Sequence, residues 1–395
     1  LAVSRLSEIA SKEERLLVGL SSGTSADGVD AALVKMSGSA EKPRVEIIHS
    51  ETYPYPEDIK RAVLDSSEGK GGSPDICRLN YQLGSIFAES CLALVKGSCL
   101  VLDDIDAVGS HGQTVCHLPP STSRAVGAVP CTLQLGEPAV IAEKTKAVVV
   151  SDFRSADIAA GGEGAPLAPC LDYVLFGGEP ESRGFLNVGG IANLSVLPSN
   201  SRWDQVMGFD TGPGNMLIDY LSQAFYAADC DRDGELSRKG RPSQDLIEEL
   251  LRHDFFTKVP PKSAGREIFG AQYAEEMIRL SRGEGMSKED ILATVTMLTA
   301  RSVHRAYTDF SAGTCKITEL NVSGGGAKNK TLMSFLEEVF SPIPVYSTER
   351  LGIPTGSKEA LLFAVLAGQA IAGVPSSLPQ VTGAAHRVVL GKIIA

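Results

Sequence analysis

Leu16-Leu17-Val18-Gly19-Leu20-Ser21-Ser22-Gly23-Thr24-Ser25-Ala26-Asp27-Gly28-Val29 reads as a short apolar strand that enters a Ser/Thr/Gly turn and leaves it as a second strand over residues 29–36. The pattern recurs. Residues 185–188 lead into Gly189-Gly190-Ile191-Ala192-Asn193 and a strand over 193–197, and residues 320–322 lead into Ser323-Gly324-Gly325-Gly326-Ala327-Lys328-Asn329. A fourth turn, Gly208-Phe209-Asp210-Thr211-Gly212-Pro213-Gly214-Asn215, carries one aspartate. Glycine tolerates positive φ and, having no Cβ, lets backbone N–H groups approach a phosphate. Several such turns with a carboxylate among them point to a nucleotide held between domains, the layout of a kinase. The strand–turn–strand unit near the start of each half suggests two related domains facing a cleft.

Helices fill the intervals. Residues 74–96 place Ile76, Leu79, Leu83, Phe87, Cys91 and Leu94 at steps of three and four, a stripe that faces a core. Further helices are expected over 215–227, 290–310, 331–339 and 358–372, and the alternation of strands with helices indicates an α/β fold. Residues 387–394 read as a strand returning to the first domain, which divides the chain into 1–155 plus 384–395 and 156–383. No Gly-x-Gly-x-x-Gly and no Gly-x-x-x-x-Gly-Lys-[Ser/Thr] occurs at these turns, which argues against a dinucleotide Rossmann site and a P-loop.

The 395 residues suffice for two or three domains, and a net charge of −11 argues against a nucleic-acid partner and an electrostatic membrane anchor. The eight cysteines contain no Cys-x-x-Cys pair, so buried free thiols are expected. Residues 1–15 are mixed and charged, unlike a signal peptide. The most apolar stretch, 360–374, falls short of the ~20 apolar residues of a membrane span, so a cytoplasmic protein is expected. Asp231-Arg232-Asp233-Gly234 lacks the later acids of a calcium loop and reads as a solvated turn.

Longer motifs narrow the reading. Ser22-Gly23-Thr24-Ser25-Ala26-Asp27-Gly28-Val29-Asp30, Ser110-His111-Gly112-Gln113-Thr114-Val115, Thr132-Leu133-Gln134-Leu135-Gly136-Glu137, Asp152-Phe153-Arg154, Gly164-Ala165-Pro166-Leu167, Asn187-Val188-Gly189-Gly190-Ile191-Ala192-Asn193-Leu194, Asp210-Thr211-Gly212-Pro213-Gly214-Asn215, Pro261-Lys262-Ser263-Ala264-Gly265-Arg266-Glu267 and Gly324-Gly325-Gly326 occur in that order. Together they closely resemble the anhydro-N-acetylmuramic acid kinases, of the sugar kinase, Hsp70 and actin superfamily. The resemblance implies a two-domain actin-like ATPase fold with the nucleotide in the interdomain cleft, ATP and magnesium as cofactors, and a homodimer. It also implies an activity: hydrolytic opening of the 1,6-anhydro ring of anhydro-N-acetylmuramic acid with phosphorylation of O6, in cell-wall recycling. A levoglucosan-type kinase and, from another class, an actin- or Hsp70-like nucleotide switch are the competing readings. The Pro/Ser-rich stretch 116–128 departs from the best-known bacterial members and would border the lactyl-group pocket.

Residue by residue, Asp210 ends the apolar strand 206–209 just before the helix at Asn215, whose N-terminus favours an ionised carboxylate. An N-cap looks the same in sequence. Under the resemblance Asp210 is the general base and Arg154 its catalytic companion; the plain alternative for Arg154 is a salt bridge with Asp152 or Asp157. Ser22, Gly23, Thr24, Ser25, Asp27, Gly28, Gly189, Gly190, Asn193 and Gly212 are implied to hold ATP, with Gly324, Gly325 and Gly326 on the adenosine side. Thr24, Asp27, His111, Gln113, Gln134, Arg154 and Asp210 are the implied sugar contacts. Glu359 and Asp210 are the implied magnesium holders, partly through water. A hairpin loop accounts equally for the serine/glycine cluster, an Asx turn for Asp27, a first-turn acid for Glu359 and a structural role for His111.

Overall fold

The computed structural model describes residues 2–23, 25–120, 129–283 and 285–395. The chain divides into two compact units, Leu1–Phe176 with Gly356–Ala395, and Gly177–Thr355. The expected division at 155/156 and 383/384 is displaced. The helix Lys358–Ile371 packs on the first unit's sheet, so residues 356–383 belong there, as does the helix Ala168–Phe176.

The first unit holds a seven-stranded sheet. Its strands are β1 (Glu14–Ser22), β2 (Gly28–Ser37), β3 (Arg44–Pro54), β4 (Ala107–Leu118), β5 (Cys131–Leu135) and β6 (Val148–Ser151), with a strand from the C-terminal segment. The second unit's sheet has β7 (Arg183–Val188), β8 (Ile191–Leu197), β9 (Met207–Pro213), β10 (Glu319–Ser323) and β11 (Val345–Ser347). The C-terminal strand, β12 (Lys392–Ile394), pairs antiparallel with β6, and the expected strand over 387–394 shrinks to these last residues.

Both sheets share one order: β3-β2-β1-β4-β6 in the first, β9-β8-β7-β10-β11 in the second. In each, the first three strands form an antiparallel meander and the last two join in parallel. Parallel pairing demands a helical crossover, and the helices Ser73–Gly97 and Lys288–Phe310 fall in the corresponding intervals. The repeated order is that of the actin-like ATPase fold, and it makes the duplication expected from the two hairpins visible.

Period-two alternation in β1 decides what packs where. Val18 and Leu20 join Leu83, Phe87 and Leu94 of the helix Ser73–Gly97 in one core. Gly19 points the other way, against the helix Lys358–Ile371. A Cβ on Gly19 would stand 1.8 Å from the Ala360 carbonyl oxygen, and one on Gly109 in β4 would stand 2.0 Å from that of Phe363. Leu361, Leu362, Phe363, Val365 and Leu366 of this helix are all buried, each contributing about 2 kcal/mol by removal from water. The chain's most apolar stretch is thus a core helix, and no helix among the described residues is long and apolar enough to cross a membrane.

The second unit's core gathers Leu186, Leu194 and Val322 from its sheet with Leu217, Leu221, Leu298 and Leu336 from three helices. Cys91, Cys170 and Cys315 are buried as expected, but Cys77, Cys99, Cys131 and Cys230 are exposed. Asp231 is also not solvated. Its carboxylate is buried and accepts from the backbone N–H groups of Leu236 and Ser237.

Candidate active site

Asp210 lies within β9, not at its end, because pairing with β8 continues from Asn193 opposite Asp210 to Ile191 opposite Pro213. The carboxylate is 7% exposed. Its Oδ2 accepts a 2.8 Å hydrogen bond from the Ala264 N–H, and its own N–H donates to the Lys262 carbonyl at 3.3 Å. It is not an N-cap: the helix Asn215–Tyr226 is capped by Gly214 with no side-chain bond. Directly opposite, the buried Asn193 Oδ1 has no partner among the described residues. A buried acceptor beside a carboxylate calls for a donor such as water or a hydroxyl.

The glycine turns of this unit interlock. Gly214 N–H donates to Gly190 O at 2.9 Å, Asn215 N–H to Gly189 O at 2.8 Å, and Asn215 Nδ2 to Val188 O at 3.2 Å. A Cβ on Gly214 would meet Gly189 O at 2.3 Å, and one on Gly324, at φ +81°, would meet Val188 O at 2.5 Å. The turns at 189–190 and 324–326 follow the carboxyl ends of the parallel strands β7 and β10, where α/β sheets bind ligands. Gly212, one residue before the end of β9, takes φ +150°.

Lys262 carries no role in the sequence reading beyond its motif. Its side chain is 2% exposed, with the ammonium 4.7 Å from the Phe255 ring centroid and 4.6 Å from that of Phe310. Burial lowers its pKa to about 8, while the negative charge of Asp210 opposes the drop. The segment 262–264 therefore grips Asp210 through a carbonyl, an N–H and a nearby cation. Only the order of polar and small residues in Pro261-Lys262-Ser263-Ala264 signalled it.

In the first unit, β1 ends at Ser22, whose hydroxyl donates to Gln113 Oε1 at 2.6 Å; Gln113 Nε2 returns to Gly23 O at 3.1 Å. Gln113 thus braces the first glycine turn with both ends of its amide. Thr24 lies outside the described residues, as do 121–128 of the Pro/Ser-rich stretch. Asp27 is exposed and pairs with Lys60 at 3.2 Å. Gly28 is required by the fold, since a Cβ there would meet Tyr53 O at 2.2 Å. Ser21 Oγ donates to Glu359 Oε2 at 3.2 Å. Glu359 sits in the first turn of the helix Lys358–Ile371, and the buried Lys358–Asp172 pair at 2.6 Å pins that turn.

His111 and Gln113 stand inside β4, which β5 extends by pairing from Gln113 to Leu118. Arg154 Nε donates to His111 Nε2 at 3.0 Å, and its Nη1 reaches Gly164 O at 3.4 Å. The suggested alternative partners are engaged elsewhere: Asp152 with Ser155 and Lys392, Asp157 with Gly164 N–H and Thr382. Gln134 Nε2 donates to Thr132 Oγ1 at 2.7 Å, and the same oxygen contacts His117 Nδ1 at 3.0 Å. His111, Gln113 and Gln134 thus each spend polar atoms on neighbours.

Burial, with the Arg154 charge adding, lowers the His117 pKa from 6.5 to about 3. Between those values the unfolded chain binds the proton that the native state refuses, so this residue's contribution to stability declines as pH falls from about 6.5 toward about 3. His117→Gln should flatten the acid limb of the stability curve by about 1.4 kcal/mol per pH unit between about pH 4 and about pH 6. Urea unfolding at stepped pH checks this; an unchanged slope refutes it.

Among the described residues no group of three or more His, Cys, Asp or Glu side chains is placed to hold a metal by itself. Magnesium asks for less, since one or two carboxylates and substrate phosphates complete its shell. Glu359, next to a hydroxyl in the first unit, and Asp210, opposite an amide oxygen in the second, are each hard oxygen donors of the kind magnesium takes.

The family model described as anhydro-N-acetylmuramic acid kinase matches residues 15–395. The chain belongs to the anhydro-N-acetylmuramic acid kinase family. Three of the relatives that bear that name illustrate the match. The one from Caldanaerobacter subterraneus subsp. tengcongensis is 43% identical over 99% of this chain and 100% of its own. That from Salinibacter ruber is 43% identical over 97% and 96%, and that from Bacillus cereus 40% over 95% and 98%. The match spans both units, so the Asp210 turn and the His111–Arg154 pair all lie within the anhydro-N-acetylmuramic acid kinase match.

Proposed function

We propose that this chain is an ATP-dependent kinase that opens the 1,6-anhydro ring of anhydro-N-acetylmuramic acid with water and phosphorylates O6, giving N-acetylmuramic acid 6-phosphate. The observation that supports it is the placement of Asp210: a buried carboxylate, no helix cap, fixed by the Ala264 N–H and facing an acceptor that lacks a donor among the described residues. Asp210 takes a proton from water as that water bonds to the anomeric carbon. The C1–O6 bond breaks, O6 takes the γ-phosphoryl group, and ADP leaves. The guanidinium of Arg154 offsets charge developing on the reacting oxygens.

The turns that carry Gly23 and Gly189 are the phosphate-binding elements. Chain neighbours aside, the nearest atoms among the described residues stand 4.0 and 3.7 Å from the Cβ direction of these two residues, so backbone there is open to approach where Gly28 and Gly214 are closed by the fold. Glu359 and Asp210 would hold magnesium, partly through water, and the bound ion would supply charge neutralisation on the phosphates. Gln134 lies toward the N-acetyl or lactyl group. A homodimer, a cytoplasmic location and a place in peptidoglycan recycling complete the reading.

Parallel assays with ATP on anhydro-N-acetylmuramic acid and levoglucosan test it. Turnover should favour the muramic sugar, and in heavy-oxygen water the label should enter at C1 and not the phosphate. Preference for levoglucosan, or ATP hydrolysis indifferent to either sugar, would overturn it.

A further inference from the structure

The geometry points to His111 as the positioning residue for Arg154: a neutral imidazole, locked in one tautomer, that fixes the plane of the guanidinium instead of contacting the sugar. An arginine Nε–H can only donate, so the 3.0 Å bond to His111 Nε2 requires a lone pair on that nitrogen. The ring proton is therefore on Nδ1, where it is donated to Gly112 O at 3.0 Å. Both nitrogens are committed, and one tautomer satisfies both bonds.

The ring has little freedom to turn. It is 5% exposed and stacks on Phe363 at 4.4 Å between centroids with 23° between planes. Phe153, the residue before Arg154, packs on the other partner of that stack, at 5.1 Å from Phe363. The helix Lys358–Ile371 thus carries Glu359 at its start and the clamp for His111 one turn later. Burial and the Arg154 charge, with a smaller contribution from His117, hold the His111 pKa well below its ordinary value, against the bond to Gly112 O, which favours protonation. The acceptor therefore persists through neutral pH. The imidazole takes only the Nε–H of Arg154, and Nη1 reaches Gly164 O at 3.4 Å, so these two contacts set the direction of the fork.

This inference rests on the role proposed above for Arg154. Glutamine at 111 keeps an acceptor where Nε2 stands. Asparagine keeps a donor near Nδ1 and leaves the Arg154 Nε–H unmatched. Both lose the stack on Phe363, so packing alone predicts equal damage. His111→Asn should lower kcat about 10²-fold with the KM for ATP little changed, the scale of a small misplacement of a reacting group. His111→Gln should stay within about tenfold of the parent. Arg154→Lys has no Nε–H, and adding His111→Asn to it should cost nothing more. Equal loss in the two histidine variants, or an undiminished asparagine effect in the lysine background, overturns the inference.

Nitrogen NMR of histidine-labelled protein reads the bond apart from catalysis. His111 should show a protonated Nδ1 and a bare Nε2 at neutral pH. A protonated Nε2 overturns the inference, whatever the activity. Full activity in Arg154→Lys with the expected spectrum would instead uphold the hydrogen bond and sink the role of Arg154.

Discussion

Asp210→Asn should leave ATP and sugar binding nearly intact and reduce kcat by about 10³-fold or more, the upper part of what a positioned general base supplies. The two side chains have the same shape. An asparagine Oδ1 can accept from the Ala264 N–H as Asp210 Oδ2 does at 2.8 Å, and the backbone bond to Lys262 O is unaffected. What is lost is the ability to take a proton. A second consequence follows from Lys262. Its ammonium is buried between two phenylalanine rings, and the Asp210 charge is the first of the influences that raise its pKa. With that charge removed, burial acts with less opposition and the amine should titrate below about 8. Calorimetric titration with an ATP analogue, rapid-quench turnover and lysine NMR check the three parts. Activity within about tenfold of the parent, a barrier change of ~1.4 kcal/mol, would show that another group takes the proton.

The elements of this fold were legible because their hydrophobic periods are long and unbroken. Leu79, Leu83, Phe87 and Leu94 mark a helix in sequence and are buried on one face of it in the structure. The duplicated hairpin was legible for the same reason, since β1–β2 and β7–β8 are each two apolar runs around a glycine turn. The extent of the functional strands was not. β4 and β9 run past His111 and Asp210 because partner strands distant or adjacent in the chain keep pairing with them, and such pairing has no local signal. The domain boundary failed in the same way. The helix Lys358–Ile371 shows an apolar stretch in sequence, but which sheet receives it depends on glycines more than 200 residues earlier. The candidate site residues stood out by type and motif, while their mutual bonds did not. Gln113 bracing Ser22 and Gly23, His111 meeting Arg154, and Lys262 beside Asp210 are relations between segments, and sequence order carries no distances.

Gly19→Ala and Gly109→Ala should each destabilise the chain by about 3 kcal/mol or more, the cost of forcing a side chain into a packed contact. The added methyl on residue 19 would stand 1.8 Å from Ala360 O and 2.7 Å from Ala364 N; on residue 109 it would stand 2.0 Å from Phe363 O. These are helix backbone atoms, so no rotamer change relieves the clash. The helix Lys358–Ile371 must lift from β1 and β4, or the strands must bend. Either movement displaces Glu359 from Ser21 and Phe363 from His111, so activity in whatever fraction still folds should fall further than the loss of stability explains. Gly313→Ala is the control: chain neighbours aside, no atom of the described residues lies within 4 Å of its Cβ direction, and stability should change by less than about 0.5 kcal/mol. Urea midpoints for the three variants, with turnover per folded molecule, separate the two effects. If Gly19→Ala unfolds at the same urea concentration as Gly313→Ala, the close seating of this helix on the sheet is not what holds the first unit's site in shape.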